Sequence, residues 1–160
     1  MDTIIRKALK DDLPEILSLI KELAAYEKAP EEVKLTIQQL EKDGFGDKAC
    51  FEALLAEQKG ECCGMALYYY TYSTWKGRCL YLEDIIIREK HRRKGIGEKL
   101  FNELLNIAAK EKVVQMKWQV LEWNQPAINF YKKYKADFDD EWTNVRLTKK
   151  QIDTFSDDSL

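Results

Sequence analysis

The chain is poor in histidine, proline and glycine, and each shortage excludes something. His91 is the sole histidine, and none of Cys50, Cys62, Cys63 and Cys79 forms a Cys-x-x-Cys pair, so zinc-site spacing is missing. Those cysteines read instead as reduced, partly buried thiols. No apolar run approaches the ~18 residues of a membrane span. The N-terminus, "MDTIIRKALK", lacks a hydrophobic signal core and a cleavage site, so a cytoplasmic protein without a membrane partner is expected. Excess positive charge is also lacking. With a net charge of -2 and a pI near 5.6, no nucleic-acid partner is expected, and any basic patch must be local. Repeats, low-complexity tracts and linkers are lacking too. At 160 residues, the chain is expected to form a single domain, 1–160, with a real core.

What is present is patterned. Residues 3–8 read as a strand. Asp11 can cap a helix whose apolar stripe is Leu13, Ile16, Leu17, Ile20, Leu23 and Ala24 and which ends near Tyr26. Thr36 and Gln39 are spaced as a capping box for a second helix, which "DGFG" stops. Then "CFEALLAE", the turn "QKGE" and the aromatic "CCGMALYYYTYS" read as a hairpin. "CLYLEDIII" (79–87) is a further strand whose last residues suit burial on both faces. A helix is expected over 96–110, a strand over 113–121, a helix over 125–134 with proline in its first turn, and a last strand over 141–147. The order β α α β β β α β α β predicts an α/β (α+β) fold with a mixed, mostly antiparallel central sheet and helices on both faces. The strand–helix–strand unit over 80–121 should be a right-handed parallel crossover.

One segment stands out: "HRRKGIGEK", His91 to Lys99, between that strand and that helix. A helix N-terminus exposes unpaired amides and roughly half a positive charge. Glycines there admit a ligand without a Cβ in the way, and such concavities bind phosphate. Arg92, Arg93 and Lys94 add charge at the mouth; His91 reads as solvent-facing. The segment has no third glycine for a Rossmann fingerprint and no P-loop signature. It also lacks the interleaved aromatics of a nucleic-acid stripe. A solvated loop capping a helix remains the plain alternative.

"RRKGIG" resembles the Arg/Gln-x-x-Gly-x-Gly/Ala motif of the GNAT acetyltransferases. "LIKELAAYEK", "DGFGD", "YSTWKGRCLYLED" and "VLEWNQPAINFYKK" resemble the spermidine/spermine N-acetyltransferase family, especially its thialysine N-epsilon-acetyltransferase branch. The resemblance implies the GNAT fold, acetyl-coenzyme A as cofactor, a small-molecule amine substrate and a homodimer. Ile85, Ile86 and Ile87 would offer backbone groups to the pantetheine arm. Arg92, Arg93, Lys94, Gly95, Ile96, Gly97 and Glu98 would cradle the pyrophosphate. Asn124, Gln125, Pro126 and Ala127, with Tyr134, would also meet the cofactor. Tyr131 aligns with the family's general acid. Tyr26, Glu27, Trp75, Glu83 and Asp84 fall at or beside positions that meet the amine.

Amine acetylation needs a neutral amine, a polarised carbonyl and a protonated leaving thiolate. A primary amine, with a pKa of about 10.4, arrives charged. Glu83, unusual in so apolar a run, is the candidate to take its proton, directly or through water. Its plain reading is an exposed partner for a cation. Asp84 is expected on the opposite face of the strand. A strand amide near Ile85 or Ile86 would polarise the carbonyl, and Tyr131 would protonate the thiolate. The plain readings of Tyr131 and Asn124 are a core aromatic and an N-cap. Two departures from the family pattern matter. Ser73 and Thr74 replace an acidic residue before the tryptophan, which points away from spermidine and toward a lysine-like or other small amine. Lys135 replaces a glycine after the acid-bearing helix, so a different turn type is expected there.

Overall fold

The computed structural model describes residues 2–156, in two compact units, 1–119 and 120–160. In the first unit the expected elements form nearly where the pattern places them. They are β1 (Ile4–Lys7), α1 (Leu13–Tyr26), α2 (Ile37–Phe45), β2 (Glu52–Gln58), β3 (Glu61–Ser73), β4 (Gly77–Ile87), α3 (Ile96–Lys110) and a short β5 (Gln115–Lys117). The sheet runs β1-β2-β3-β4-β5. The first three pairings are antiparallel, and β4 with β5 is parallel, as expected for a crossover through α3.

Both sheet faces are covered. Met65 and Leu67 of β3 and Ile86 of β4 pack with Leu13, Ile16 and Leu19 of α1 and Leu40 of α2. Side chains of the opposite parity, Ala66, Tyr68, Leu80 and Leu82, are buried as well. On the other side α3, which packs against β1 to β4, buries Ile96, Leu100, Phe101 and Leu104. The alternation of small and large apolar residues in β3 is therefore that of a strand with two dry faces.

Several local expectations need correction. Asp11 does not cap α1. It lies in a 3-10 turn (Lys10–Asp12), and Asp12 is the residue before α1. The Asp12 side chain is occupied by Arg6, at 2.7 Å, which holds its carboxyl below the usual range. At α2, Thr36 accepts from the Gln39 amide at 3.1 Å, but the Gln39 side chain turns to Asp43, so the capping box is half made. The strand expected over 113–121 pairs only at Gln115–Lys117.

The second unit holds α4 (Gln125–Lys132) and α5 (Lys149–Phe155). Residues 141–147 form no strand, although "WTNVRL" has the composition of one. A strand needs a partner ladder, and none is recorded for this segment among the described residues. Instead Thr148 and Gln151 make a reciprocal capping box for α5.

Three helices end the same way. Lys28, Lys112 and Lys135 have φ of 63°, 53° and 54°. Each closes a Schellman turn after its helix, as in Val113 N–H to Ala108 C=O at 3.1 Å and Lys112 N–H to Ala109 C=O at 3.1 Å. The different turn expected at Lys135 therefore does not occur. Ala136 N–H reaches Tyr131 C=O at 3.4 Å and Lys135 N–H reaches Lys132 C=O at 3.0 Å, and lysine tolerates the left-handed region. A side chain there costs about 1–2 kcal/mol, partly offset because glycine is freer when unfolded. Lys112→Gly should thus stabilise the protein by about 0.5–1 kcal/mol, raising its melting temperature by roughly 1–4 °C. An unchanged or lower melting temperature in calorimetry would count against strain at this turn.

Candidate functional site

Residues 88–95 join β4 to α3. They begin with a 3-10 turn, Glu89–His91, and include two left-handed residues, Arg93 (φ 59°) and Gly95 (φ 76°). Gly95 is the residue before α3, so the chain enters the helix from a sharp bend. That bend leaves the first amides of α3, at Ile96, Gly97 and Glu98, without intrahelical acceptors. A Cβ on Gly95 would meet nothing within 4 Å, and one on Gly97 only Ile87 Cγ1 at 3.7 Å. Internal packing therefore demands neither glycine, and the open space over the helix start suits an anion. A pyrophosphate fits such a cradle. Arg92 is engaged within the protein. Its Nε donates to Ile87 C=O at 2.9 Å, and its guanidinium lies 4.9 Å from the Tyr26 ring centre. Lys94 Nζ donates to Lys90 C=O at 2.9 Å. Arg93 stays exposed.

His91 is not solvent-facing. It is buried, with Nε2 3.6 Å from the Glu61 carboxylate, and neither ring nitrogen makes a hydrogen bond among the described residues. The 3-10 turn closes with His91 N–H to Arg88 C=O at 2.8 Å and folds the ring inward. Arg88, which the sequence reading passed over, ties the end of β4 to α1 through Glu15 at 2.7 Å and Glu22 at 3.1 Å.

The β4 carboxylates differ from expectation in one decisive way. Leu67 pairs with Asp84, but Tyr68 pairs with Leu82, so Glu83 is an extra residue in β4. Such a bulge interrupts the alternation of faces. Asp84 lies opposite Leu67, and Tyr69, two residues on from Leu67, donates from its hydroxyl to Glu83 Oε2 at 2.8 Å. Glu83 and Asp84 thus share the α1 face, and the expected opposite orientation of Asp84 is overturned. Tyr81 stacks on Tyr69 with centroids 5.2 Å apart, which fixes the phenol. Burial, then the charges of Glu83 and Glu27, push the Asp84 carboxyl up to about 6. Burial also raises the Glu27 carboxyl. In the Tyr69 phenol, burial and the bond to Glu83 both favour the protonated form.

Ile85, Ile86 and Ile87 follow the bulge, and the ladder to β5 stops at Tyr81↔Lys117, before these residues. The β5 side of Ile85–Ile87 therefore lies beyond the parallel ladder. Tyr26 and Glu27, at the end of α1, join this face through Arg92 and Asp84 respectively. Trp75 does not join it. It sits, 85% exposed, in the β3–β4 turn, and Gly77 at the base of that turn is roughly 20 Å along β4 from Glu83.

In the second unit, the Asn124 side chain accepts from the Ala127 amide at 3.4 Å and so caps α4, with Pro126 in its first turn. Gln125 Nε2 donates to Asn129 at 2.7 Å. Tyr131 is buried, and Phe130 packs edge-on against both Tyr131 and Tyr134, with centroids 5.4 Å apart. Tyr69 was missed by sequence reading. Its only signal was its diagonal position across a hairpin from Glu83, and that depends on the bulge.

Known proteins are similar to this chain. The family model described as Acetyltransferase (GNAT) family matches residues 10–135. Thialysine N-epsilon-acetyltransferase of Bos taurus is 41% identical over 141 residues, 83% of either chain. The Caenorhabditis elegans protein of that name is 36% identical over 155 residues, 92% of this chain and 93% of the relative. An integron cassette protein from the mobile metagenome of V. cholerae shares the fold, with a TM-score of 0.80 at 21% identity, covering 98% of this chain and 99% of that one. A strand that leads through a glycine loop into a helix start, and the family match across it, agree: the chain belongs to the GNAT family and is an acetyl-coenzyme-A-dependent acetyltransferase.

Proposed function

We propose that the protein acetylates a primary amine of a small molecule, lysine-like (thialysine) or a di- or polyamine, by direct attack of the amine on acetyl-coenzyme A. One observation carries this reading. β4 holds two adjacent carboxylates on one face and, a few residues later, delivers the chain into an anion cradle. An ammonium ion is attracted to the first and a coenzyme A pyrophosphate to the second, so both substrates are held on one strand.

In this reading residues 1–160 act as one acetyltransferase domain. The α3 start and the loop 92–98 hold the pyrophosphate, Ile85–Ile87 meet the pantetheine arm, and residues 124–127 with Tyr134 add cofactor contacts. Tyr26, Glu27, Glu83 and Asp84 serve the amine, and Trp75, far along β4, takes no part. Tyr131 protonates the departing thiolate. Tyr131→Phe is expected to cut turnover about 10²-fold while acetyl-coenzyme A still raises the melting temperature as in wild type. Unchanged turnover would remove Tyr131 from the mechanism. The acceptor is tested with a panel read by thiol release: spermidine, putrescine, thialysine, lysine and a short peptide. Thialysine or lysine should react fastest; preference for the peptide would overturn the small-molecule reading.

The protein acts as a homodimer in the cytoplasm. Trp142, Val145, Leu147 and Phe155 are 74%, 90%, 59% and 68% exposed, an apolar load that favours covering by a second copy. Four free cysteines suit a reducing compartment. Light scattering should give twice the mass of 18.8 kDa, and Trp142→Ser with Val145→Ser should shift it toward the monomer. A wild type that elutes as a monomer would sink the dimer.

A further inference from the structure

We infer that Tyr26 has a second task, besides its place beside the amine. Its ring is a shelf that holds the Arg92 guanidinium ready for the coenzyme A phosphates. Tyr26 is then a positioning residue for the cofactor and acts through Arg92. The inference rests on the proposed cofactor site and deepens it.

The three cations ahead of α3 are held differently. Arg93 is exposed, and Lys94 Nζ is spent on the Lys90 carbonyl at 2.9 Å. Arg92 is held at two points and still has its charge to offer. Its Nε donates to Ile87 C=O at 2.9 Å, and its guanidinium carbon lies 4.9 Å from the centre of the Tyr26 ring. That distance is within cation–π range, and a flat, weakly hydrated guanidinium suits an aromatic face. The bond through Nε leaves the terminal nitrogens, the fork that meets phosphate oxygens in pairs. Glu27, the next residue after Tyr26, would be an obvious partner for that fork. Among the described residues no ion pair of Arg92 is recorded, and the side chain rests on the ring instead.

The shelf is firmly mounted. Tyr26 is the half-buried last residue of α1. The turn behind it closes with Lys28 N–H to Ala25 C=O at 3.1 Å and Ala29 N–H to Ala24 C=O at 2.9 Å. Arg88 ties α1 to the end of β4 through Glu15 and Glu22. Both supports of Arg92, the ring and the Ile87 carbonyl, therefore belong to one braced frame. A long side chain ordered before its ligand arrives spares the ordering cost at binding, and affinity rises accordingly.

The experiment measures the dissociation constant of acetyl-coenzyme A by calorimetry, without amine and at one salt concentration. The proteins are wild type, Tyr26→Phe, Tyr26→Leu, Arg92→Ala and the double variant Tyr26→Leu/Arg92→Ala. Tyr26→Leu should weaken binding about 3–10-fold, and Arg92→Ala at least as much. Tyr26→Phe keeps the aromatic face and should stay within about twofold of wild type. In the Arg92→Ala background, Tyr26→Leu should change nothing further, because the ring acts only through the cation. A tyrosine that merely packs the end of α1 would weaken binding equally in both backgrounds. Additive losses therefore overturn the shelf. So does a Tyr26→Leu protein that binds as tightly as wild type, or a Tyr26→Phe protein that binds as weakly as Tyr26→Leu. If wild type itself does not bind acetyl-coenzyme A, the cofactor site fails, and the shelf with it.

Discussion

Asp84→Asn is expected to stabilise the protein at neutral pH. The ordinary carboxyl value of 3.8 rises to about 6 at Asp84, through burial first and then the charges of Glu83 and Glu27. The folded state therefore binds this proton more tightly than the unfolded chain does. Stability falls as pH rises from about 4 to 6, and the full penalty is present above pH 6. A rise of that size corresponds to about 3 kcal/mol. Asparagine has nearly the same shape and no charge, so it removes the penalty. At pH 7.5 the variant should melt roughly 5–10 °C above wild type, and at pH 4 the two should coincide. Melting curves at both pH values check this. A gain independent of pH would mean that Asp84 is not held in its unfavourable charged state.

Gly64→Ala should have the opposite effect, a large loss without any change in charge. Gly64 lies in β3 opposite Ile87. A Cβ there would strike the Ile86 carbonyl oxygen and come within 2.6 Å of Ile87 Cδ1 and 3.1 Å of Ile87 Cα. Two of these are backbone atoms, which cannot swing aside as a flexible side chain would. Overpacking of this kind costs about 1–3 kcal/mol, more where backbone must move, so the melting temperature should fall by roughly 5–10 °C. The displaced backbone is that of Ile86 and Ile87, where the pantetheine arm is proposed to lie. Acetyl-coenzyme A affinity should therefore drop in the variant that remains folded. A melting point within a degree of wild type would show that β3 and β4 separate freely here.

Much of this protein was legible in its sequence because the signals were local. The helix periods of α1 and α3, the "QKGE" turn and the glycine loop before α3 each depend on residues close in the chain, and they formed close to where the pattern put them. The loop is the best example, since glycine at position 95 takes its φ of 76° without a side-chain penalty.

What escaped the sequence was decided by pairing between distant segments. "LYLED" alternates like any strand, and alternation alone puts Glu83 and Asp84 on opposite faces. Only the register against Leu67 and Tyr68 inserts Glu83 as an extra residue and brings both carboxylates, with Tyr69, to one face. "WTNVRL" has strand composition but no recorded ladder, and "GRC" is strand because β3 is there to receive it. His91 is buried because a 3-10 turn folds it inward beside Glu61, which lies thirty positions earlier in the numbering. The sequence by itself determined the helices, the turns and the glycine loop before α3, because backbone preference and side-chain period act within a few residues. Tertiary structure alone decided which carboxylate is exposed and which is half-buried, because desolvation and cross-strand hydrogen bonds exist only once the strands are paired.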